Sequence, residues 1–198
     1  MVERYTQVAR PTLWLIQGGE LIRDGGVVVE VGPFYIGKTT VTNEQYEAFA
    51  PGYQRSPLSP SNDHPAVGVS HADAVGYCGW YSRLSGKSFR LPACSEWELA
   101  CRGGARTRYF FGDDPAAADP YVWHEGNSGG RCQPVESSRA NPLGLFEMLG
   151  NVWQWTATGA LRGGSYRTPI AELGASVRRM EDPDARLEDA GFRIVRSL

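Results

Sequence analysis

The segment Gly144–Arg167, GLFEMLGNVWQWTATGALRGGSYR, constrains the fold of this chain more than any other feature. It combines closely spaced glycines with Trp153 and Trp155 and carries almost no charge. Glycine adopts backbone conformations that other residues avoid, and a buried tryptophan supplies a large packing area. The whole chain shows the same bias, with 24 glycines, 13 prolines and six tryptophans among 198 residues. These features predict a loop-rich fold with an aromatic core, in which this segment is built around a site or a ligand.

Local patterns predict mixed α and β structure with two main helices. One helix begins at Ser70, which has Asp73 three residues later, and the other begins at Ser95 with Glu98 in the same relation. A shorter helix follows the capping box of Thr42 and Gln45. Strands are predicted at Thr12–Gln17 and Val27–Val31, in the turn-and-strand sequence GPFYIGKTTVT and in the closing GFRIVR. Because neither a repeat nor a linker interrupts the chain, residues 1–198 are predicted to form a single domain.

The charge and the hydropathy pattern exclude several classes of function. A formal net charge of −2 gives no electrostatic basis for binding nucleic acid or an anionic membrane. The longest apolar runs are too short to span a bilayer. Glu3, Arg4 and Arg10 lie among the first apolar residues, so the N-terminus does not read as a secretory signal. The predicted location is therefore the cytoplasm.

The cysteines have no spacing typical of a zinc site or a redox motif. Without a signal sequence, they are expected to be reduced thiols. On one straight helix, Cys94 and Cys101 would be about 10 Å apart, too far to form a disulfide. The four positions are Cys78, Cys94, Cys101 and Cys132.

Five motifs occur in an order that resembles the formylglycine-generating enzyme (sulfatase-modifying factor) family. They are FYIGKTTVTNEQYEAF, HPAVGVSHADAVGYCGWYSRLSGKSFRLPACSEWELACRGG, GNSGGRCQPVESSRANPLGLFEMLGNVWQWT, LRGGSYR and GFRIVR. The resemblance covers about residues 12–196. It implies an α+β fold of the C-type-lectin-like kind, loop-rich, with short antiparallel strands and a core of stacked aromatic rings.

The resemblance also implies where the family's chemistry would lie. Catalytic members oxidise a cysteine of sulfatases to formylglycine with oxygen and a copper ion, which two thiols hold shortly after the segment corresponding to GGSY. Thr168 and Leu173 stand at those two positions, and no cysteine follows Cys132. Copper(I) prefers soft thiolate ligands, which a hydroxyl or an isobutyl group cannot replace. The sequence therefore predicts a protein that is not an enzyme and binds no copper. The alternative is an oxidoreductase that makes formylglycine through a displaced metal site.

A calcium site is a second feature that the family resemblance implies. Its ligands would come from two side chains and two carbonyl groups, at Glu147, Gly150, Val152 and Gln154. Gln154 replaces a carboxylate with a neutral amide, which weakens the affinity for calcium. The alternative is a loop that protein hydrogen bonds hold without an ion. No other cofactor is predicted.

The histidines and the remaining tryptophans are interpreted as structural. An iron site of the kind found in related sulfoxide synthases would need an additional helical domain, so His64, His71 and His124 are not predicted to be ligands. The tryptophans are expected to lie in the core or at its edge. Trp155 alone is expected to face a ligand, because the resemblance places it at the ligand end of the fold.

Seven arginines are concentrated in the last 37 residues: Arg162, Arg167, Arg178, Arg179, Arg186, Arg193 and Arg196. Pairing with neighbouring carboxylates would account for some of them. The rest would form a surface of arginine and tyrosine that recognises protein. The contact side chains are predicted to be Trp155, Tyr166, Arg167, Thr168, Arg178 and Met180.

A second resemblance supports this interpretation. Variable proteins of diversity-generating retroelements use the same lectin-like scaffold and vary residues in a segment like Tyr166–Asp189 before a GFR landmark. The sequence thus predicts a non-catalytic domain that binds a ligand, in particular a protein, with a retroelement-diversified protein as one form of it. A purely structural oligomerisation domain is a further alternative.

Overall fold

The computed structural model describes residues 10–23 and 25–198. The interpretation of the N-terminus rests partly on Glu3 and Arg4, which lie outside the described residues. The helices are α1 (Asn43–Phe49), α2 (His71–Ser85) and α3 (Cys94–Arg102). The strands are β1 (Leu13–Ile16), β2 (Gly19–Ile22), β3 (Val28–Val31), β4 (Phe34–Gly37), β5 (Phe89–Arg90), β6 (Trp153–Trp155), β7 (Ala160–Arg162), β8 (Arg178–Met180), β9 (Ala190–Phe192) and β10 (Val195–Ser197).

The strands form two four-stranded sheets and a hairpin. The first sheet has the order β1-β4-β10-β5, so the end of the chain pairs beside β4. The second has the order β8-β7-β6-β9, and β2 pairs with β3 alone. All neighbours are antiparallel except β6 and β9, where Trp153 lies opposite Ala190. This architecture confirms the predicted α+β class with short strands, and it places β8 at an edge.

The first two helices begin where the sequence predicts. Thr42 accepts a hydrogen bond from the backbone of Gln45, whose side chain accepts one from the Thr42 backbone. Ser70 and Asp73 form the same reciprocal pair at the start of α2. That helix ends at Gly86, where φ is 68° and a residue with a side chain would be strained.

The predicted cap of α3 at Ser95 is wrong. The helix begins at Cys94, and Ala93 is its N-cap residue. Glu96 takes the third helical position, where its carboxylate accepts from the Ala93 backbone at 2.7 Å and pairs twice with Arg90. Because alanine has no side-chain acceptor, the N-cap residue itself bonds no N–H group of the first turn of α3.

Aromatic side chains fill the core, as predicted from the composition. On one side of the second sheet, Tyr77 contacts Tyr46 and Phe192 with ring centroids 6.0 and 5.3 Å apart. A second buried cluster surrounds Trp97 and includes Met148. Within the described residues, no helix is long and apolar enough to cross a lipid bilayer.

Candidate functional site

The turn at Gly163 and Gly164 brings two later side chains together. Their φ angles are 93° and 76°, which favour glycine. A Cβ atom on Gly164 would collide with the Leu173 side chain and would lie 3.5 Å from the Cβ of Thr168. Thr168 and Leu173 therefore meet over the glycine turn.

The chemistry at this meeting point does not suit copper. Leu173 is fully buried and packs in the cluster around Trp97. The Thr168 hydroxyl accepts from the backbone N–H of Ser165 at 3.0 Å, so its oxygen has a structural role. Neither side chain offers a sulfur ligand, and copper(I) requires soft donors.

The thiols of the chain lie elsewhere and are mostly buried. Burial raises the pKa of Cys78, Cys101 and Cys132 to about 12, so these groups stay protonated. Cys94 is partly exposed, with its sulfur 3.3 Å from the Thr156 hydroxyl. Within residues 10–23 and 25–198, no group of three or more His, Cys, Asp or Glu side chains is arranged to hold a metal ion.

Two of the four residues predicted as calcium ligands, Glu147 and Gln154, contact the side chain of Arg193. Its guanidinium group donates from Nε to Gln154 Oε1 at 2.9 Å and from Nη2 to the carbonyls of Phe146 and Glu147 at 2.7 and 3.4 Å. Nη1 donates to the carbonyls of Gly37 and Lys38 at 2.8 and 3.1 Å. We call Arg193 and these acceptors the closed cluster.

The closed cluster does not fit a calcium ion. Gln154 Oε1 also accepts from Trp97 Nε1 at 2.8 Å, and Gln154 Nε2 donates to the Glu147 carbonyl. The Gln154 side-chain oxygen and the Glu147 carbonyl are therefore bonded to internal donors, beside a permanent cation. Burial lowers the pKa of Arg193 to about 10, which leaves it charged at neutral pH.

The carboxylate of Glu147 is likewise occupied. It accepts from the backbone of Glu136 at 3.1 Å and from both the backbone and the hydroxyl of Ser138, at 3.3 and 2.9 Å. Burial raises the pKa of Glu147 despite these bonds and the nearby Arg193. Both side chains predicted as calcium ligands, Glu147 and Gln154, therefore make internal hydrogen bonds.

Two of the predicted contact residues are core residues. Trp155 is fully buried and donates from Nε1 to the carbonyl of Val69 at 3.0 Å. Tyr166 is also buried, with Val67, Val152 and Cys132 around it. Nearly every position from Gly150 to Tyr166 is buried, so neither side chain offers a surface to a ligand. The prediction that Trp155 and Tyr166 contact a ligand is wrong, because neither side chain is exposed.

Three other predicted contact residues lie at the surface. Arg167 is about half exposed and pairs with Glu188 at 3.1 Å. Arg178 and Met180 point outward from the edge strand β8, and Met180 is 67% exposed. Between them, Arg179 points to the opposite face, where its guanidinium lies 5.1 Å from the ring centroid of Trp153. Thr168, also predicted to contact a ligand, is instead buried with its hydroxyl bonded to Ser165, so that prediction is wrong.

A buried ion network that sequence reasoning missed lies beneath β7 and β8. Glu98 Oε1 accepts from Arg102, and Glu98 Oε2 accepts from Arg162 at 2.7 Å. The i, i+4 spacing of Glu98 and Arg102 was a signal for half of it. The contact between α3 and β7 could not be read from spacing, because 64 residues separate Glu98 from Arg162.

The three histidines, interpreted from the sequence as structural or surface residues, each contact another part of the protein. His71 Nε2 lies 3.0 Å from the carbonyl of Thr156, and His124 lies 3.2 Å from Asp119. His64 is buried 3.4 Å from Asp63.

Comparison with known proteins gives one family over almost the whole chain. The model of the sulfatase-modifying factor enzyme 1-like domain matches residues 2–198. The chain is 37% identical to the formylglycine-generating enzyme of Mus musculus over 72% of this chain and 46% of that protein. It is 31% identical to the inactive C-alpha-formylglycine-generating enzyme 2 of Mus musculus, over 73% of this chain and 55% of that protein.

The chain spans only part of its curated relatives. The match to the formylglycine-generating enzyme of Mycobacterium tuberculosis, with 36% identity, covers 52% of this chain and 36% of that protein. Their further segments have no counterpart in these alignments.

Two solved structures share the fold. Treponema denticola variable protein 1 superimposes with a TM-score of 0.85 at 21% identity, over 95% of each chain. PvdO from Pseudomonas aeruginosa superimposes with a TM-score of 0.84 at 23% identity, over 96% of this chain and 95% of that one. The described fold is therefore of the formylglycine-generating-enzyme-like, C-type-lectin-like kind.

Proposed function

Because the chain belongs to the sulfatase-modifying factor enzyme 1-like family, we propose that it is a non-catalytic member that binds a protein ligand through its C-terminal segment. The observation that carries the proposal is the meeting of Thr168 and Leu173 over Gly164. The two positions that the resemblance assigns to copper-binding thiols are adjacent in space, yet they provide a bonded hydroxyl and a buried isobutyl group.

The relatives support the loss of catalysis in one respect. A protein named as an inactive formylglycine-generating enzyme matches 73% of this chain at 31% identity, so the scaffold persists in members without the activity. The chain also shares its fold with a variable protein. Both are consistent with a scaffold that is kept for recognition.

The proposed contact surface consists of Arg167, Arg178 and Met180. Exposed methionine and arginine side chains, such as Met180 and Arg178 on the edge strand β8, are typical of protein-binding surfaces. The outer edge of β8 has no neighbouring strand among the described residues, so its backbone N–H and C=O groups are open to a partner strand. We propose a cytoplasmic location for this interaction, since Cys78 and Cys101 are free thiols.

Oxygen consumption tests the catalytic part of the proposal. The purified chain is supplied with copper(I), oxygen and a cysteine-containing peptide, and neither stoichiometric copper binding nor oxygen uptake is expected. The double variant Thr168→Cys, Leu173→Cys is the matched control, and it is expected to retain copper(I) because the two positions flank one glycine. Turnover by the natural chain would contradict the proposal.

Alanine substitution tests the contact surface. Proteins captured from the source cells by the natural chain are purified, and their dissociation constants are measured for the double variant Arg167→Ala, Met180→Ala. We expect affinity to fall at least about tenfold, as for the loss of two interface side chains. Arg83→Ala, an exposed arginine of α2, is the control and should bind normally. Equal affinity of both variants would show that the contact surface lies elsewhere.

Genomic context tests the retroelement form of the proposal. A diversified protein needs a neighbouring reverse transcriptase gene and a near-duplicate template of the sequence encoding the C-terminal segment. We propose that segment 166–189 is the varied part. The absence of both elements from the locus would remove this form and leave the binding proposal intact.

A further inference from the structure

A polar cavity of about 240 Å³ opens between the start of α3 and the edge of the second sheet. We call it the arginine cavity. It lies on the face of β7 and β8 opposite the one that carries Leu161 and Arg179. Its lining residues are Arg23, Cys94, Glu98, Arg162, Ser176 and Arg178.

The lining has an excess of positive charge. It contains three arginines and one glutamate, and both oxygens of Glu98 are already bonded to Arg102 and Arg162. The carboxylate is therefore neutralised by its own network. No side-chain ion pair involves Arg178 in the described part of the chain.

Arg162 has a donor that lacks an acceptor. Its side chain is only 3% exposed, and its terminal nitrogens donate to Glu98 and to the carbonyls of Ala175 and Ser176. Its Nε is buried and has no hydrogen-bond partner within the described residues, and the same is true of Arg23 Nε. Leaving a buried charged donor unpaired is costly, which favours an external acceptor at this place.

The start of α3 adds a second attraction for negative charge. Cys94 is the first residue of this helix and lines the cavity, and the N-cap residue Ala93 provides no side-chain acceptor. Uncapped N–H groups at a helix N-terminus carry partial positive charge and bind anions.

We propose that the arginine cavity binds an oxoanion group, with Arg162 Nε and Arg178 as its donors. The inference deepens the proposed function and rests on it for the source of the anion: an acidic side chain of the protein ligand. Arg178 links the arginine cavity to the proposed contact surface, because it belongs to both. Guanidinium donors match the planar carboxylate and also the phosphate group.

The test uses inorganic phosphate and the NMR signal of the Arg162 Nε–H group. The chain is titrated with phosphate at constant ionic strength, set with chloride. We expect this signal to shift in a saturable manner. In Arg178→Gln the dissociation constant should rise about tenfold, as expected for one charge-assisted hydrogen bond. Arg83→Gln removes the same charge from α2 and should leave binding unchanged. An immobile signal, or equal effects of both variants, would overturn the proposal.

Two further titrations identify the source of the anion. A short peptide with glutamates is compared with the same peptide carrying glutamines, using the same Arg162 signal. Preference for the glutamate peptide supports the acidic side chain, whereas saturation by phosphate alone assigns the cavity to a free anion. One outcome is that phosphate binds while every captured protein keeps its affinity for the double variant Arg167→Ala, Met180→Ala. In that outcome the proposed function fails and the anion site stands. If a protein binds without any Arg162 shift, the anion site fails.

Discussion

Arg193 and Arg162 are both buried, but their surroundings differ in how completely the donors are used. In the closed cluster, all three nitrogens of Arg193 donate to acceptors from separate parts of the chain. Arg162 lines the arginine cavity, and its buried Nε has no partner among the described residues. The difference teaches that burial of a charge does not by itself indicate function. A fully bonded group stabilises the fold, whereas the unbonded donor of Arg162 is the group on which the proposed anion site rests.

The largest expected effect comes from opening the closed cluster. Arg193→Met leaves the Gln154 and carbonyl acceptors without their donor, which should reduce the free energy of unfolding by about 3–5 kcal/mol. Arg193→Lys keeps the charge but not the fork of donors, so its loss should be smaller. Urea denaturation measures both. A loss below about 1 kcal/mol for Arg193→Met would mean that the cluster is not structural.

The next largest expected effect is the pH dependence of stability that Glu147 causes. Since burial raises its folded pKa, this group contributes stability below its unfolded pKa of 4.5 and loses that contribution as the pH rises through the folded value. Glu147→Gln should remove this dependence. The stability of the variant relative to the natural chain should therefore increase between pH 4 and pH 7. Urea denaturation across that range measures the gap. A gap that does not change with pH would show that the titration of Glu147 does not affect the stability of the fold.

A smaller effect on stability is expected in the arginine cavity. Arg178 is exposed and makes no ion pair among the described residues, so Arg178→Gln should change the free energy of unfolding by less than about 0.5 kcal/mol. The comparison with Arg193→Met is direct, because both lose one guanidinium group. A loss above about 2 kcal/mol would show that Arg178 belongs to the framework, and the distinction between the clusters would fail.

The smallest expected effect is that of calcium. Because the oxygens around Gln154 are bonded internally, neither added calcium nor a chelator should shift the melting temperature. Magnesium at equal concentration is the control for ionic strength. A calcium-specific increase that saturates would establish an ion in the closed cluster.

Sequence patterns predicted the elements whose signals are local. The capping boxes at Thr42 and Ser70 each depend on residues three positions apart, and both helices begin there. The start of α3 was mispredicted because Ser95 and Glu98 satisfy the same local rule. Glu98 instead turns inward to Arg162, a partner that only the tertiary fold supplies.

At the candidate site, the sequence alone predicts only that the copper-binding thiols are absent. The absence of cysteine at Thr168 and Leu173 is visible in the sequence, whereas their meeting over Gly164 is not. The resemblance places Trp155 near the ligand end of the fold, but nearness to a landmark does not fix the direction of a side chain, and Trp155 is buried in the core. The arginine cavity is lined by four separate segments, so no spacing along the chain could indicate it.

The packing of Leu173 over Gly164 has a consequence for the history of the protein. Changing Thr168 alone to cysteine would supply one thiol that faces a leucine, and changing Leu173 alone would leave a hole in the core. A change at one of the two positions would therefore not create a pair of thiols. Under the proposed non-catalytic function, a copper site would need both changes together, which single mutations do not supply.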